Sequence, residues 1–154
     1  MTIIFGTQGS GKSTAATKMA MLGKSIYMLA ENDARLMASL SSKRIEFFLE
    51  RSFSIEDIKH ACMERGGIIS NDLEYCIVDS INMIKDEISY SDRIRKLMEI
   101  EKTFKIEIVA TFNTLSSNKK DVCSALIGKI KSDIGGDARF YSSESILTDS
   151  SIAF

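Results

Sequence analysis

The chain lacks several features that would point to particular classes of protein. Its 154 residues include no proline and no tryptophan, a single histidine and three cysteines. No run of about 18 apolar residues is present, so the sequence predicts no membrane-spanning helix. The formal net charge of −1 excludes a strong overall attraction to nucleic acid. Any contact with nucleic acid would therefore depend on a local basic patch.

The few cysteines and the lone histidine argue against a zinc site. Cys62, Cys76 and Cys123 are far apart in the chain and form no Cys-x-x-Cys pair. His60 is not spaced with them to complete a set of ligands. An odd, scattered count of cysteines, in a chain that starts with an apolar strand and not with a leader, is typical of reduced thiols. We therefore expect a cytoplasmic protein.

Short apolar runs alternate with segments of helical character. Runs that predict strands occupy residues 2–5, 25–30, 45–49, 75–79, 106–111 and 139–141, the last with 146–147 as its partner in a hairpin. Helices are predicted at residues 13–22, 34–40 and 54–63, and a further helix is predicted to begin after a cap at Ser91 or Asp92. Ser54 and Asp57 fit a capping box at the start of the third helix. Strands that alternate with helices predict a mostly parallel sheet covered on both faces. No linker or repeat divides the sequence, so we expect residues 1–154 to form one α/β domain.

A glycine-rich loop follows the first predicted strand and leads into the first predicted helix. From Gly6 to Ser13 its pattern is Gly-x-x-x-x-Gly-Lys-Ser, the P-loop or Walker A motif, in the strand-to-helix context that this motif requires. Its glycines let successive N–H groups turn towards an anion, and the helix N-terminus adds its dipole. Lys12 is expected to reach the β- and γ-phosphates of a nucleotide, and the Ser13 hydroxyl to bind Mg²⁺. The residues expected to bind the nucleotide are Gly6, Gln8, Gly9, Ser10, Gly11, Lys12, Ser13 and Thr14.

Polar residues follow three of the predicted strands, and ligands of parallel α/β sheets bind beyond the carboxyl ends of strands. Asp79 ends one strand and is expected to hold Mg²⁺ together with Ser13. Glu31 follows another strand and, if it faces the γ-phosphate, would orient and deprotonate a water molecule. Asn113 and Thr114 follow a third strand and would hydrogen-bond the γ-phosphate. The structural alternatives are a helix cap, a solvated loop residue and a polar turn, respectively.

Together these segments resemble the RecA/RadA-type branch of P-loop ATPases, which includes DnaB-type helicases and KaiC-like proteins. The family's Walker A motif is matched by GTQGSGKST, its second strand with the catalytic glutamate by SIYMLAEND, and its Walker B strand by YCIVDSINMI. The strand with a polar γ-phosphate sensor is matched by IEIVATFNT, and the Gly-Gly stretch after the mobile DNA-binding loop by GGDARFYSS. The resemblance covers almost the whole chain. It implies a three-layer α/β fold with a mostly parallel central sheet and with ATP and Mg²⁺ as ligands.

The resemblance also implies roles for individual residues. Glu31 would be the catalytic glutamate, Asp79 would lie beside the metal, and Lys12 would stabilise charge on the phosphates. Asn113 would be the sensor, at a position where relatives more often carry glutamine or histidine. In this family the sensor strand lies between the P-loop strand and the Walker B strand.

The resemblance further implies a homo-oligomer, a ring or a filament, with ATP bound between subunits. Arg139 and Phe140 match a basic and an aromatic residue that the family uses at the subunit interface. The N-terminal segment with which relatives clasp a neighbour has no counterpart here, nor do the C-terminal DNA-binding domain and the zinc module of RadA. Lys129, Lys131 and Arg139 are candidates for a residue that reaches the γ-phosphate of a neighbouring subunit.

Two loops that face the axis of the ring or filament contact DNA in this family. They match residues 82–91 and 115–134, and the second contains Lys119, Lys120, Lys129 and Lys131. Contacts from these lysines to single-stranded DNA would be independent of base sequence and sensitive to salt. The alternative is a solvated, flexible surface loop. Acidic residues offset part of its charge, and it has no aromatic side chain on which a base could stack.

The leading hypothesis is a minimal RecA-like ATPase that acts on DNA as an oligomer, in recombination or strand annealing. A hexameric helicase or a packaging-type translocase ranks second. A P-loop kinase of nucleosides or nucleotides is the alternative from another enzyme class, although Asp79-Ser80 does not match the Asp-Glu of thymidine kinases. A third alternative is an assembly or regulatory module that binds ATP with little turnover.

Overall fold

The computed structural model describes residues 1–7, 9–29, 45–49, 52–65, 72–114 and 120–148. Within these ranges the strands are β1 (Thr2–Gly6), β2 (Ser25–Leu29), β3 (Ile45–Leu49), β4 (Tyr75–Asp79), β5 (Glu107–Asn113) and β6 (Arg139–Ser142). The helices are α1 (Lys12–Ala20), α2 (Ile55–Arg65), α3 (Tyr90–Phe104), α4 (Lys120–Ile134) and α5 (Ser143–Thr148), with a 3₁₀ turn at Ile81–Met83. The helix predicted at residues 34–40 lies outside the described residues. No helix in the described ranges is long and apolar enough to cross a membrane.

The described strands form one sheet in the order β3-β2-β4-β5-β1-β6, and every neighbouring pair is parallel. In a parallel sheet all carboxyl ends lie at the same edge, so this edge contains Gly6, Asp79 and Asn113, the last residues of β1, β4 and β5. β5 lies between β1 and β4, as the resemblance implies for the sensor strand. The prediction of an α/β fold with a parallel central sheet is confirmed.

Helices cover both faces of the sheet because alternate residues of a strand point to opposite sides. Ile3 and Ile108 belong to a core cluster that includes residues of α2, α3 and α4. Their neighbours in the chain, Ile4 and Val109, belong to a second cluster with residues of α1 and α5. The fold therefore has three layers, as predicted.

Two helices begin with the expected capping chemistry, one of them at a different residue. Ser54 and Asp57 form the predicted capping box. The Asp57 N–H donates to Ser54 Oγ at 3.0 Å, and the Ser54 N–H donates to Asp57 Oδ2 at 2.8 Å. The cap of α3 is Ser89, whose Oγ accepts from the Asp92 N–H at 3.1 Å. The predicted caps Ser91 and Asp92 are wrong because both residues already lie within the helix.

The expectation of a loop at residues 115–134 is wrong for α4. Ile127, Ile130 and Ile134 recur at helical spacing, and the first two are buried against the larger core cluster. Apolar packing of this face thus outweighs the polar and charged residues between them. Residues 115–119 lie outside the described part of the chain.

The predicted hairpin after β6 is also wrong. β6 pairs in parallel with β1, and the chain then enters α5, which contains the residues that were expected to form the second strand. Ile146 of this helix is buried in the same core cluster as α1. The apolar character of this segment therefore reflects helix packing and not strand pairing.

The packing of α4 can be tested at Ile130, which is 2% exposed. Ile130→Ala removes buried methyl groups and leaves a cavity, so we expect the free energy of unfolding to fall by about 3 kcal/mol. Lys129→Ala, at an exposed neighbour in the same helix, should change it by less than about 0.5 kcal/mol. Urea denaturation followed by circular dichroism measures both. Equal stability of the two variants would contradict the burial of this face.

Candidate active site

The glycine-rich loop joins the end of β1 to the start of α1. Gly9 and Gly11 have φ angles of 79° and 88°, in the left-handed region that favours glycine. Gly11 immediately precedes α1, so the first N–H groups of the helix open onto the loop. At Gly6 a Cβ atom would collide with Ser10 Oγ and would lie 2.9 Å from Ser143 Oγ. The glycines thus permit both the backbone angles and the close packing of the loop.

Lys12, the first residue of α1, folds over the loop. Its Nζ donates to the Thr7 carbonyl oxygen at 2.6 Å, and the residue is only 9% exposed. Burial lowers the pKa of Lys12 from its ordinary value, and the nearby Asp79 carboxylate acts in the opposite direction. An ammonium group that is partly removed from water, beside a turn of backbone N–H groups, is suited to bind an anion.

The Asp79 carboxylate, at the end of β4, accepts three hydroxyl hydrogen bonds. Ser13 Oγ and Tyr27 Oη each donate to Oδ2 at 2.8 Å, and Thr111 Oγ1 donates to Oδ1 at 2.7 Å. The structure thus brings together Ser13 and Asp79, the two residues predicted to hold Mg²⁺. Proteins bind Mg²⁺ through one or two carboxylates plus substrate phosphates, and this donor set fits that pattern. The described residues contain no group of three or more His, Cys, Asp or Glu side chains that suggests another metal.

Neither Tyr27 nor Thr111 was predicted from the sequence. Both are fully buried, and burial, followed by the charge of Asp79, raises the pKa of Tyr27 well above its ordinary value. The phenol therefore stays protonated and donates its hydrogen. Tyr27 pairs with Ile77, two residues before Asp79, so strand alternation places Tyr27 and Asp79 on one face. The only local signal in the sequence was a tyrosine within a predicted buried strand, and its partner depends on which strands pair.

Asn113, the last residue of β5, is held through its backbone by Asn82. Asn82 Nδ2 donates to the Asn113 carbonyl oxygen at 3.0 Å, and the Asn113 N–H donates to Asn82 Oδ1 at 2.7 Å. Asn113 pairs with Gly6, whose carbonyl oxygen accepts from the Thr114 N–H at 2.9 Å. Asn113 Oδ1 is buried and has no hydrogen-bond partner in the described part of the chain. The residue predicted as the sensor thus lies at the strand end beside the glycine-rich loop, with its backbone held by Asn82.

Three further residues predicted for the site are Gln8, Thr14 and Glu31. Gln8 of the loop and Glu31 beyond β2 lie outside the described residues. The last described residue before Glu31 is Leu29, which pairs with Asp79 in the neighbouring strand. Thr14 is exposed in the first turn of α1. The chain therefore leaves β2 beside the Asp79 carboxylate, two residues before Glu31.

The lysines predicted to contact DNA belong to α4 and the residues before it. Lys129 and Lys131 are exposed on this helix, and the Lys131 ammonium lies 5.3 Å from the centre of the Phe140 ring. Lys119 and the side chain of Lys120 lie outside the described part of the structure. Two of the four lysines thus face solvent from a helix and not from a loop.

The residues predicted for a subunit interface lie on β6, at the edge of the described sheet. In the pairing of β6 with β1, Arg139 lies beside Thr2, at the amino ends of the strands. The glycine-rich loop lies at the other edge of the sheet, beyond the carboxyl end of β1. The Arg139 side chain is 62% exposed and pairs with Glu107 of the same chain at 2.9 Å. Phe140 is half-buried against the larger core cluster. Because an exposed ion pair is worth at most about 1 kcal/mol, it would not prevent a new contact through Arg139.

Comparison with models of known protein families finds no match to this chain, and comparison with curated protein sequences finds no significant match. The α/β fold and its parallel sheet are compatible with a P-loop nucleoside triphosphatase. The function is therefore inferred from the geometry of the site and from the motifs.

Truncation of Asn82 and of Asn113 should cost different amounts of stability. Asn82→Ala removes the partner of two backbone groups of Asn113, so we expect the free energy of unfolding to fall by about 2 kcal/mol. Asn113→Ala removes a buried oxygen without a partner among the described residues and should cost less than about 0.5 kcal/mol. Urea denaturation of both variants measures the difference. Similar losses in both would contradict the described role of Asn82.

Proposed function

We propose that this chain is a RecA-like ATPase that binds ATP with Mg²⁺ at the glycine-rich loop and hydrolyses it to ADP and phosphate. The observation that carries the proposal is the 2.8 Å contact between Ser13, at the start of α1, and Asp79, at the end of β4. It joins the phosphate loop to the carboxyl end of another strand. A glycine turn with an incidental Lys-Ser pair would not require this contact.

The loop offers the groups that a triphosphate needs. Backbone N–H groups around Gly9 and Gly11 and the start of α1 supply partial positive charge, and Lys12 supplies a full charge. The Lys12 Nζ has a neutral partner, the Thr7 carbonyl. If a phosphate oxygen replaced this neutral acceptor, both the donor and the acceptor would be charged, and their attraction would be stronger. The buried position of the ammonium group therefore favours nucleotide binding.

Ser13 and Asp79 are the residues that would hold the metal. When bound with the nucleotide, Mg²⁺ supplies positive charge to the phosphate oxygens on which negative charge accumulates. The Ser13 oxygen keeps a lone pair for a cation while its hydrogen is donated to Asp79, the arrangement already present in the structure. The hydrogen bond between Ser13 and Asp79 thus places the oxygen atoms of both residues close enough to act on the same ion.

Hydrolysis also needs a water molecule opposite the bond that breaks. We assign Glu31 as the base that accepts a proton from this water, since β2 ends beside Asp79. The water oxygen then bonds to the γ-phosphorus while the bond from phosphorus to the β–γ bridging oxygen breaks, and ADP leaves. Asn113 lies at the end of β5, next to β4, where its side-chain amide would donate a hydrogen bond to the γ-phosphate and sense its loss.

Phosphate release from ATP in the presence of Mg²⁺ tests this function. We expect Lys12→Ala to lower the rate at least about 100-fold because it removes a charge that stabilises the transition state. Glu31→Gln should lower it by a similar factor because it removes the base, while ATP binding is retained. Lys96→Ala and Glu64→Gln, at exposed positions on α3 and α2, serve as controls that make the same chemical changes elsewhere.

Three results would contradict the proposal. Phosphate moved from ATP to an added nucleoside or nucleotide would indicate the kinase. Tight binding of ATP without phosphate release would indicate the assembly or regulatory module. Release that is unchanged in Lys12→Ala would show that the glycine-rich loop is not the site.

We further propose that the ATPase acts on single-stranded DNA as a homo-oligomer, either a ring or a filament. The exposed lysines of α4 support the first part, because phosphate contacts depend on accessible positive charge. For the second part, β6 lies at the edge of the described sheet, where Arg139 and the exposed side of Phe140 would contact a neighbouring subunit. Recombination or strand annealing is the role that we favour.

DNA binding by α4 can be measured by fluorescence anisotropy over a salt series. Each lost phosphate contact on a single strand lowers the slope of log affinity against log salt by about 0.7. We therefore expect Lys129→Ala with Lys131→Ala to lower the slope by about 1.4 and to weaken binding at low salt. The matched control is Lys96→Ala with Lys102→Ala, which removes the same charge from α3. Equal effects of the two pairs would contradict a specific role for α4.

A further inference from the structure

The Asp79 carboxylate is held by more hydroxyl groups than the proposed metal pair requires. The proposed site accounts for Ser13 but not for Tyr27 or Thr111. These two residues come from β2 and β5, the strands on either side of β4. Asp79 is thus held from both neighbouring strands as well as from α1.

The position of the Tyr27 hydroxyl is set by the core and not by solvent. The tyrosine ring is fully buried in the core cluster that also contains Ala15 and Ala16 of α1 and Ile77 of β4. A ring packed on several sides has one accessible rotamer, so the hydroxyl at its end has one position. From there it donates to Asp79 Oδ2 at 2.8 Å.

Thr111 holds the other carboxylate oxygen. It is fully buried in β5, and its β-branched side chain is restricted at χ1. Its Oγ1 donates to Asp79 Oδ1 at 2.7 Å, whereas Tyr27 donates to Oδ2. Because each oxygen has a donor from a different strand, the carboxylate group cannot rotate without breaking a hydrogen bond.

We propose that Tyr27 and Thr111 are positioning residues of the metal site, which hold the Asp79 carboxylate in the orientation that, together with Ser13, receives the metal of a metal–nucleotide complex. This inference rests on the proposed function. Groups that hydrogen-bond to the ligands of a metal contribute about 10- to 100-fold to metal affinity. The alternative is a purely structural role, because a buried hydroxyl needs an acceptor. The two roles differ in whether metal affinity falls when a hydroxyl is removed and the fold is kept.

Mn²⁺ titration of the full chain with a non-hydrolysable ATP analogue tests the inference without turnover, since electron paramagnetic resonance measures the free ion. Tyr27→Phe and Thr111→Val each remove one hydroxyl and keep the shape of the side chain. We expect each to raise the Mn²⁺ dissociation constant about tenfold. Affinity for the analogue in EDTA should stay unchanged. Thr111→Ser and Tyr75→Phe should bind Mn²⁺ as the wild type does. The first keeps the hydroxyl, and the second removes one at the opposite end of β4.

The outcomes separate this inference from the proposed function. Wild-type Mn²⁺ affinity in both Tyr27→Phe and Thr111→Val would overturn the inference and leave the proposed function in place. A wild-type chain that binds no Mn²⁺ with the analogue would overturn both. If Tyr27→Phe does not fold, Thr111→Val is compared with Thr111→Ser. A tenfold difference supports the inference, and equal affinity overturns it.

Discussion

The candidate site depends on the Asp79 carboxylate, because three elements that are distant in the chain meet at it. Ser13 of α1, Tyr27 of β2 and Thr111 of β5 each donate a hydroxyl hydrogen bond to it. A carboxylate that is partly removed from water is costly unless donors surround it. One of the hydrogen bonds that offset this cost comes from Ser13 and also fixes the first turn of α1 to the sheet. The Asp79 carboxylate therefore links the packing of α1 to the chemistry of the glycine-rich loop.

The parallel sheet explains why these residues meet at one edge. Strands that all run in the same direction end together, and the order of β4, β5 and β1 brings Asp79, Asn113 and Gly6 to neighbouring strand ends. Asn82, three residues after Asp79, adds a connection between the ends of β4 and β5. Its side-chain amide forms two hydrogen bonds with the backbone of Asn113. The separation between the ends of β4 and β5, where Asp79 and Asn113 lie, is thus set by the fold and not by flexible side chains.

The sequence predicted the features that neighbouring residues determine, and it missed those that depend on distant ones. β3 at Ile45–Leu49 and the capping box that starts α2 follow from local patterns, and both were predicted. The contact of Tyr27 with Asp79 spans 52 residues of the chain, and that of Asn82 with Asn113 spans 31. Such partners become neighbours only when strands pair in register, which no local pattern reveals. The helix α4 is different, because the spacing of its isoleucines predicts a helix while its lysines and polar residues are typical of a surface loop.

The connection from β4 to α3 shows why the proposed DNA contact relies on α4. The resemblance assigns residues 82–91 to a loop that contacts DNA, yet much of this segment is tied to the rest of the fold. Arg93 donates from Nη1 to the Ile81 carbonyl oxygen and from Nη2 to the Asp86 carbonyl oxygen, each at 3.0 Å. A segment whose backbone carbonyls are already engaged has little freedom to rearrange around a nucleic acid. Residues 82–91 also contain a single basic residue, Lys85, which lies 3.7 Å from Asp57, whereas α4 has two exposed lysines, Lys129 and Lys131. The larger accessible positive charge is therefore on α4.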